Sequence, residues 1–402
     1  MLAQFSDFAL GSLAGLTGLI PFIHTNTIIE LTRGVSFSYF DLFAVALVFS
    51  RLCFEFLANV KFEIATEQNA LSIDGIKQLN ASSGNGNQAL KTMIYNGLLA
   101  MLVSLLLYPL YSMFGKPIQQ VLYPVIPIVL LGIFFWFMIT QDNKVNALVV
   151  SLLAGAVGIV VLEKNIPNAL FILLTGLYAV PSLLEKNKEQ KIENKWENAS
   201  KGENKTENKA ENKTETNVER QGAAVFPLFI VVGSLIGMTS AFFPAMTPTM
   251  LCVTALFFLN KQNPEYFLSL NAAILGSRAV SDFAALEFLS KGRSGATAAM
   301  LENNFYNFPT IYSYLVIGIV VAIAAGFIAL KLYHFIPAGG LSQQIKVAAL
   351  LAIFSYVFYT SGVIGVIAMA ACALVGLTCT EFRVGKALLG SSILFPSVRN
   401  YL

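Results

Sequence analysis

Long runs of apolar residues, separated by shorter polar segments, dominate this chain. Residues 221–260 hold forty consecutive positions without a charge, and residues 347–380 hold thirty-four. Because a helix needs roughly 20 apolar residues to cross the hydrocarbon core, each of these runs can hold two crossings. The runs predict membrane segments near 8–31, 40–59, 89–113, 118–140, 145–162 and 166–184, and then near 223–243, 247–260, 266–290, 308–333, 345–361, 362–380 and 386–402.

The apolar runs do not have the pattern of membrane β-strands. Strands of a membrane barrel alternate apolar and polar residues over about ten positions, whereas these runs are apolar throughout. The composition agrees with helices in lipid, since 56% of the residues are hydrophobic and only 12% are charged, against about 25% charged in soluble domains. We therefore expect an all-α, multi-pass protein of the cell membrane, which contacts lipid and has no nucleic acid partner.

The charged residues are concentrated in one segment near the middle of the chain. Residues 185–220 contain nine Lys or Arg and nine Asp or Glu, and the triplet Glu-Asn-Lys recurs among them. A segment with so few apolar residues to bury is expected to be largely disordered or a frayed single helix. The sequence thus predicts a first membrane repeat at 1–184, a charged low-complexity linker at 185–222 and a second membrane repeat at 223–402.

The two membrane parts share sequence elements in the same order. Gly-Ser-Leu-x-Gly-x-Thr occurs at 11–17 and again at 233–239, and a Ser-Arg-x-x-x-acid-Phe element follows at 50–56 and at 277–283. These matches predict an ancient duplication, with two homologous repeats of about five to seven membrane segments each. Duplicated halves are typical of secondary transporters. We expect the repeats to be inverted, although an even number of crossings in each half would make them parallel.

A proline and a polar run follow each glycine element. A break in a membrane helix frees backbone N–H and C=O groups, which are tolerated only where they are buried or line a wet cavity. Half-helix N-termini also attract anions, so we expect broken or re-entrant helices to form a substrate site near the membrane midplane. Ordinary proline kinks between glycine-packed helices are the alternative. The candidate binding residues are Pro21, His24, Thr25, Asn26, Thr27, Pro244, Thr247 and Thr249, and the structural glycines are Gly11, Gly15, Gly233 and Gly237.

Each repeat also places an arginine one helical turn before an acid, inside an apolar run. The pairs are Arg51 with Glu55 and Arg278 with Asp282. Because an ionisable group at membrane depth costs about 2.5–3.5 kcal/mol to insert, such residues suggest function. Arg278 would face an anionic substrate, while Glu55 or Asp282 would carry a coupling Na⁺ or H⁺. The alternative is a structural ion pair near a helix end.

The sequence organises no further chemistry. The four cysteines stand singly in apolar segments without the spacing of metal ligands, and the polar loops hold no ordered set of acid and base residues. We therefore expect that the protein is not an enzyme and binds no cofactor or metal. A membrane enzyme acting on a lipid-linked substrate and a non-transporting membrane scaffold are the competing hypotheses.

Three segments together resemble one transporter family. Residues 11–27, with Gly-x-x-x-Gly, a proline and His-x-Asn-Thr, resemble the first signature of the large membrane subunit of tripartite tricarboxylate transporters, particularly its short archaeal-type branch. Residues 54–77 resemble the loop after that signature. Residues 289–296 resemble a Gly-Lys-x-Arg-Ser-Gly-Ala motif, in which Ser294 is a further candidate binding residue.

The resemblance implies ion-coupled, alternating-access uptake of a small organic anion such as a di- or tricarboxylate. It also implies two partners, a small membrane subunit and an external solute-binding protein. The chain departs from the family at its Pro-Gly pairs, which here read Pro21-Phe22 and Pro244-Ala245. Each replacement adds a side chain at a position where the family has glycine and restricts the backbone conformations available there. We therefore expect a narrower or altered site.

Overall fold

The structure is a computed structural model that describes residues 2–20, 25, 28–29, 32, 39–62, 86–141, 143–164, 166–184, 215–243, 246–259, 264–302, 308–336, 343–382 and 384–401. The regular structure of these residues is helical. The first half contains α1 (Leu2–Ala14), α2 (Phe40–Phe62), α3 (Gly86–Leu122), α4 (Ile126–Ile139), α5 (Lys144–Glu163), α6 (Ala169–Leu174) and α7 (Val180–Leu184). The second half contains α8 (Glu215–Ser240), α9 (Pro248–Phe258), α10 (Pro264–Leu289), α11 (Gly295–Glu302), α12 (Phe308–Phe335), α13 (Gln343–Glu381) and α14 (Ser391–Tyr401).

Several of these helices are long and apolar enough to cross a membrane. Among the described residues 4 helices meet both conditions: α3, α5, α12 from Ile311 onward, and α13. These helices are long enough to span the hydrocarbon core of a bilayer and are apolar in composition. They confirm the prediction of an all-α, multi-pass membrane protein.

The two halves pack crosswise. Helix α3 of the first half lies along α10 of the second, and α12 of the second half lies along α2 of the first. Buried polar groups join α3 to α10, since Asn96 donates to Ser269 at 2.6 Å and Ser104 donates to Ser277 at 2.7 Å. Small residues allow this approach, because a side chain on Gly276 would collide with the backbone of α3.

A second group of helices packs in the same crosswise manner. Helix α14 of the second half lies against α5, and α13 lies against α6, α7 and the π-helical turn between them. Ser391 donates to the Ser151 carbonyl at 2.9 Å, and Ser361 donates to the Pro167 carbonyl at 2.6 Å. The two helix groups enclose two large apolar clusters, one around α2, α3, α10 and α12 and the other around α4, α5, α13 and α14.

The glycine elements of both halves make matching contacts. An added side chain on Gly15 would collide with Ser50, and one on Gly237 would lie 2.6 Å from the Cβ of Ser277. Gly11 and Gly233 pack one turn earlier against α2 and α10 respectively. Each serine directly precedes the arginine of its half. The duplication itself and the orientation of the repeats stay predictions.

Three features differ from the segments expected from the sequence. Helix α3 continues through Pro109 and Pro117, so it takes in the start of the segment predicted at 118–140. The segments predicted at 345–361 and 362–380 are one element bent at Gly362, whose φ of 64° and ψ of −160° are not helical. Helix α8 begins at Glu215, inside the predicted linker. Residues 185–214 of that linker lie outside the described part.

Candidate functional site

A cavity of about 210 Å³ lies where the two halves and the two apolar clusters meet. Its wall includes Ala279 from the first cluster and Met246 from the second. The first half contributes Thr25, Val48, Arg51, Leu52, Glu55, Leu170 and Leu174, and the second half contributes Met246, Thr247, Pro248, Arg278, Ala279, Asp282, Arg293, Ser294, Gly295 and Ile393. Both predicted arginine–acid pairs therefore face one space.

The described residues of the cavity wall are positively charged overall. They carry three guanidinium groups and two carboxylates, which leaves one formal positive charge among them. A buried net charge is unfavourable in a low-dielectric environment unless a counter-ion compensates it. The cavity is thus suited to a small anion, because an anion would both neutralise the wall and accept hydrogen bonds from guanidinium groups.

The arginine and the acid of the first half form a direct, buried hydrogen bond. Arg51 Nε donates to Glu55 Oε1 at 2.6 Å, and the two side chains are only 4% and 2% exposed. Arg51 Nη1 also donates to the Thr17 hydroxyl at 3.4 Å. The backbone of the 3₁₀ turn Gly15–Leu19 packs on this arginine, since an added Cβ on Gly18 would lie 2.6 Å from the Arg51 carbonyl oxygen.

The pair of the second half is looser and more open to the cavity. Arg278 Nε lies 3.7 Å from Asp282 Oδ1, and the arginine side chain is 24% exposed. Asp282 Oδ1 is buried and accepts no hydrogen bond from the described part of the chain. Arg278 Nη1 donates to the Met246 carbonyl at 3.0 Å, and this bond holds the guanidinium beside the start of α9.

Arg293 is a cavity residue that the sequence reasoning did not select. Its Nη2 donates to the Phe242 carbonyl at 3.3 Å, and its buried Nε donates to no acceptor in the described part of the chain. It stands in the connection between α10 and α11, outside the repeated Ser-Arg element. The available signal was its place in the Gly-Lys-x-Arg-Ser-Gly-Ala motif, directly before Ser294.

Two of the described helices, α9 and α11, begin at the cavity. Thr247 caps α9 by accepting a hydrogen bond from the Met250 N–H at 3.3 Å, and Pro248 occupies the first helical position. At the start of α11, the Ser294 N–H donates to the Thr297 hydroxyl at 2.9 Å, and the two hydroxyls lie 3.0 Å apart. Ser294 therefore helps to shape a helix start while it lines the cavity. Both helix starts direct their positive dipole ends towards this region.

The predicted binding residues divide into three groups. Thr25, Thr247, Arg278 and Ser294 line the cavity together with the coupling candidates Glu55 and Asp282. Thr249 is buried in α9 and does not appear in the described lining; its hydroxyl has no hydrogen bond from a described residue. The remaining candidates lie outside the described residues: Pro21, His24, Asn26, Thr27 and Pro244.

Comparison with known proteins gives two findings. The sequence model described as "Tripartite tricarboxylate transporter TctA family" matches residues 8–389. The chain is also 24% identical over 334 residues to a protein of Methanocaldococcus jannaschii described as "Uncharacterized protein MJ1079". The aligned region covers 78% of this chain and 77% of that protein. No solved structure matches the chain.

Proposed function

We propose a transport function from one premise: the chain belongs to the tripartite tricarboxylate transporter TctA family. In this proposal the protein is a permease that moves a small organic anion, such as a di- or tricarboxylate, across the cell membrane. One observation carries it: among the described residues, three guanidinium groups and the starts of α9 and α11 line one cavity between the halves. A carboxylate matches these donors in charge and in hydrogen-bonding geometry.

The cavity volume favours a small substrate. At about 210 Å³ the space is smaller than the roughly 300–1,000 Å³ of pockets that hold drug-sized ligands. A compact acid such as succinate or citrate fits this range better than a fatty acid or a nucleotide would. The apolar part of the wall, which includes Leu52 and Ala279, would contact the carbon skeleton of such an acid.

Alternating access is the mechanism that this arrangement supports. Because residues of both halves line the cavity, a movement of one half against the other would change the side from which the cavity opens. Glu55 and Asp282 supply negative charge beside the arginines and are our candidates for carrying a coupling Na⁺ or H⁺. Members of this family work with further transporter components, so we propose a small membrane subunit and an external solute-binding protein as partners.

Uptake into proteoliposomes tests the proposal. Purified protein would be reconstituted and offered radiolabelled succinate or citrate, with and without a Na⁺ or proton gradient. We expect uptake above that of protein-free liposomes, and a loss of about 10–100-fold in Arg278→Ala, because a hydrogen bond to a charged group contributes roughly 1.5–3 kcal/mol.

The matched control is Arg399→Ala. Arg399 pairs with Glu163 at the surface, and its side chain is 64% exposed, so its removal leaves the cavity intact. Uptake should survive this change. If neither the wild type nor the control takes up any offered acid, the hypothesis of a non-transporting scaffold would be favoured.

A further inference from the structure

We propose that the two halves of the site are functionally unequal. Arg278 binds the anion, because Asp282 makes no direct hydrogen bond to its guanidinium group. Glu55, by contrast, holds the Arg51 guanidinium in a direct hydrogen bond and keeps it from the anion. The inference rests on the proposed function for the identity of the anion, but the asymmetry itself is visible in the two pairs. One methylene distinguishes them, since Asp282 stands where the first half has Glu55.

The length of the acidic side chain explains the two geometries. Glu55 reaches across the helical turn to form a hydrogen bond of 2.6 Å with Arg51, whereas the shorter Asp282 stops 3.7 Å from Arg278. The first distance is that of a charge-assisted hydrogen bond, and the second is an ion pair beyond hydrogen-bonding range. Arg278 is therefore held near its acid by attraction without a directional bond to it, and a ligand carboxylate can compete.

The glycine elements reinforce the difference. In the first half, Thr17 accepts a hydrogen bond from Arg51, and Gly18 allows the backbone to close over that arginine. The matching residues of the second half are Thr239 and Ser240. Both threonine hydroxyls donate to the carbonyl three residues earlier, Thr17 to Ala14 at 2.6 Å and Thr239 to Ile236 at 2.9 Å, but within the described part of the chain only Thr17 also accepts a hydrogen bond from the arginine of its half. Ser240, which replaces Gly18, donates to the Gly237 carbonyl at 2.6 Å.

Exposure follows the same division. The Arg51 side chain is 4% exposed, whereas that of Arg278 is 24% exposed in the same cavity. Asp282 is then a positioning residue that acts through Arg278. Lengthening Asp282 to glutamate should let it form a direct hydrogen bond to Arg278, as Glu55 does to Arg51. Shortening Glu55 to aspartate should break the direct hydrogen bond to Arg51.

Chemical modification of the arginines tests this without requiring transport. Butane-2,3-dione in borate modifies accessible guanidinium groups, and peptide mass spectrometry reports the rate at each arginine of the intact protein in detergent. In the wild type we expect Arg278 to react at least about tenfold faster than Arg51, with the exposed Arg399 as internal control. Succinate at high concentration should protect Arg278 and leave Arg399 unchanged.

Two variants and their combination complete the test. Asp282→Glu should slow the modification of Arg278 several-fold, Glu55→Asp should accelerate that of Arg51, and the double variant should invert the wild-type order. Gel filtration would establish that each variant is folded. Equal reactivity of Arg51 and Arg278 in the wild type, or an Arg278 rate unchanged by Asp282→Glu, would overturn the proposal.

A transport measurement separates this inference from the proposed function. In proteoliposomes Asp282→Glu should raise the KM for succinate by about tenfold or more, because a closed Arg278 binds the carboxylate less well. If the labelling pattern is as expected but no acid is taken up, the asymmetry stands and the proposed function fails. If uptake is found but the two arginines react alike, the asymmetry fails and the function stands.

Discussion

Ser104 and Ser277 join the two halves of the protein through a hydrogen bond of 2.7 Å between their buried hydroxyls. Ser277 in turn donates to the Ser234 carbonyl at 2.7 Å. One line of hydrogen bonds thus connects α3, α10 and α8. Because Ser277 directly precedes Arg278, this line fixes the helical position from which the arginine enters the cavity.

Replacing Ser277 with alanine should weaken the contact between the halves. The change removes two hydrogen bonds and leaves the buried Ser104 hydroxyl without its acceptor. We expect a loss of about 1–2 kcal/mol in the free energy of unfolding, since a hydrogen bond between membrane helices contributes up to roughly 1.7 kcal/mol. Thermal unfolding in detergent would measure this loss of stability.

Ser112→Ala is the matched control for that experiment. Ser112 is exposed on α3 and donates to the Pro109 carbonyl of its own helix at 2.7 Å. Its removal should change the unfolding temperature little. Equal shifts for the two variants would mean that the hydrogen bond between Ser104 and Ser277 does not stabilise the contact between the halves.

The sequence was sufficient to find the two arginine–acid pairs. Arg51 and Arg278 stand in apolar runs where a charge is unfavourable, and each is followed one turn later by an acid. The repetition of this element in both halves made both pairs candidates for function. The structure places both in one wall, and it places Thr25 and Thr247 there as well.

Other parts of the site depend on contacts between residues far apart in the chain. Arg293 lines the cavity while its Nη2 donates to the carbonyl of Phe242, 51 residues earlier in the chain, and no local periodicity encodes that contact. The crosswise packing of α3 on α10 likewise depends on shape matching between the halves, as where Gly276 meets Gly97. The bend at Gly362 requires a positive φ, which the sequence marks only by a glycine.

The glycine contacts predict a clear difference between three alanine variants. Gly15→Ala and Gly237→Ala would drive a methyl group into Ser50 and Ser277 respectively. Overpacking of this kind costs about 1–3 kcal/mol, so both variants should unfold at lower temperature. Gly132→Ala is the control, because nothing lies within 4 Å of an added Cβ there. Its stability should be unchanged or slightly higher, and a comparable loss in all three would contradict the packing argument.

Arg293→Ala should reduce anion uptake about as strongly as Arg278→Ala. The guanidinium lines the cavity, and its buried Nε still has a hydrogen to donate. Losing a charged hydrogen-bond donor corresponds to roughly 10–100-fold in kcat/KM, which initial rates of succinate uptake would measure. Arg293→Lys should recover only part of this loss, since an ammonium group cannot reproduce the fork of a guanidinium.

The neighbouring Lys291→Ala serves as control for Arg293. Lys291 lies two residues earlier, with its Nζ 5.8 Å from the ring centre of Tyr123, and it is not among the described cavity residues. Its removal also deletes a positive charge from the same connection. If uptake falls equally in both variants, the effect comes from the general charge of that connection rather than from Arg293 in the cavity.

The closed pair of Arg51 and Glu55 makes a distinct prediction about stability. Arg51→Met leaves the Glu55 carboxylate buried without its cation, and breaking a buried ion pair in this way costs about 3–5 kcal/mol. Replacing both partners removes both desolvation costs, so the double variant Arg51→Met with Glu55→Met should recover most of the loss. Unfolding by sodium dodecyl sulfate, followed by circular dichroism, would compare the three proteins with the wild type. A double variant no more stable than Arg51→Met would show that Arg51 contributes through its bond to Thr17 and its packing on Gly18, and not through Glu55.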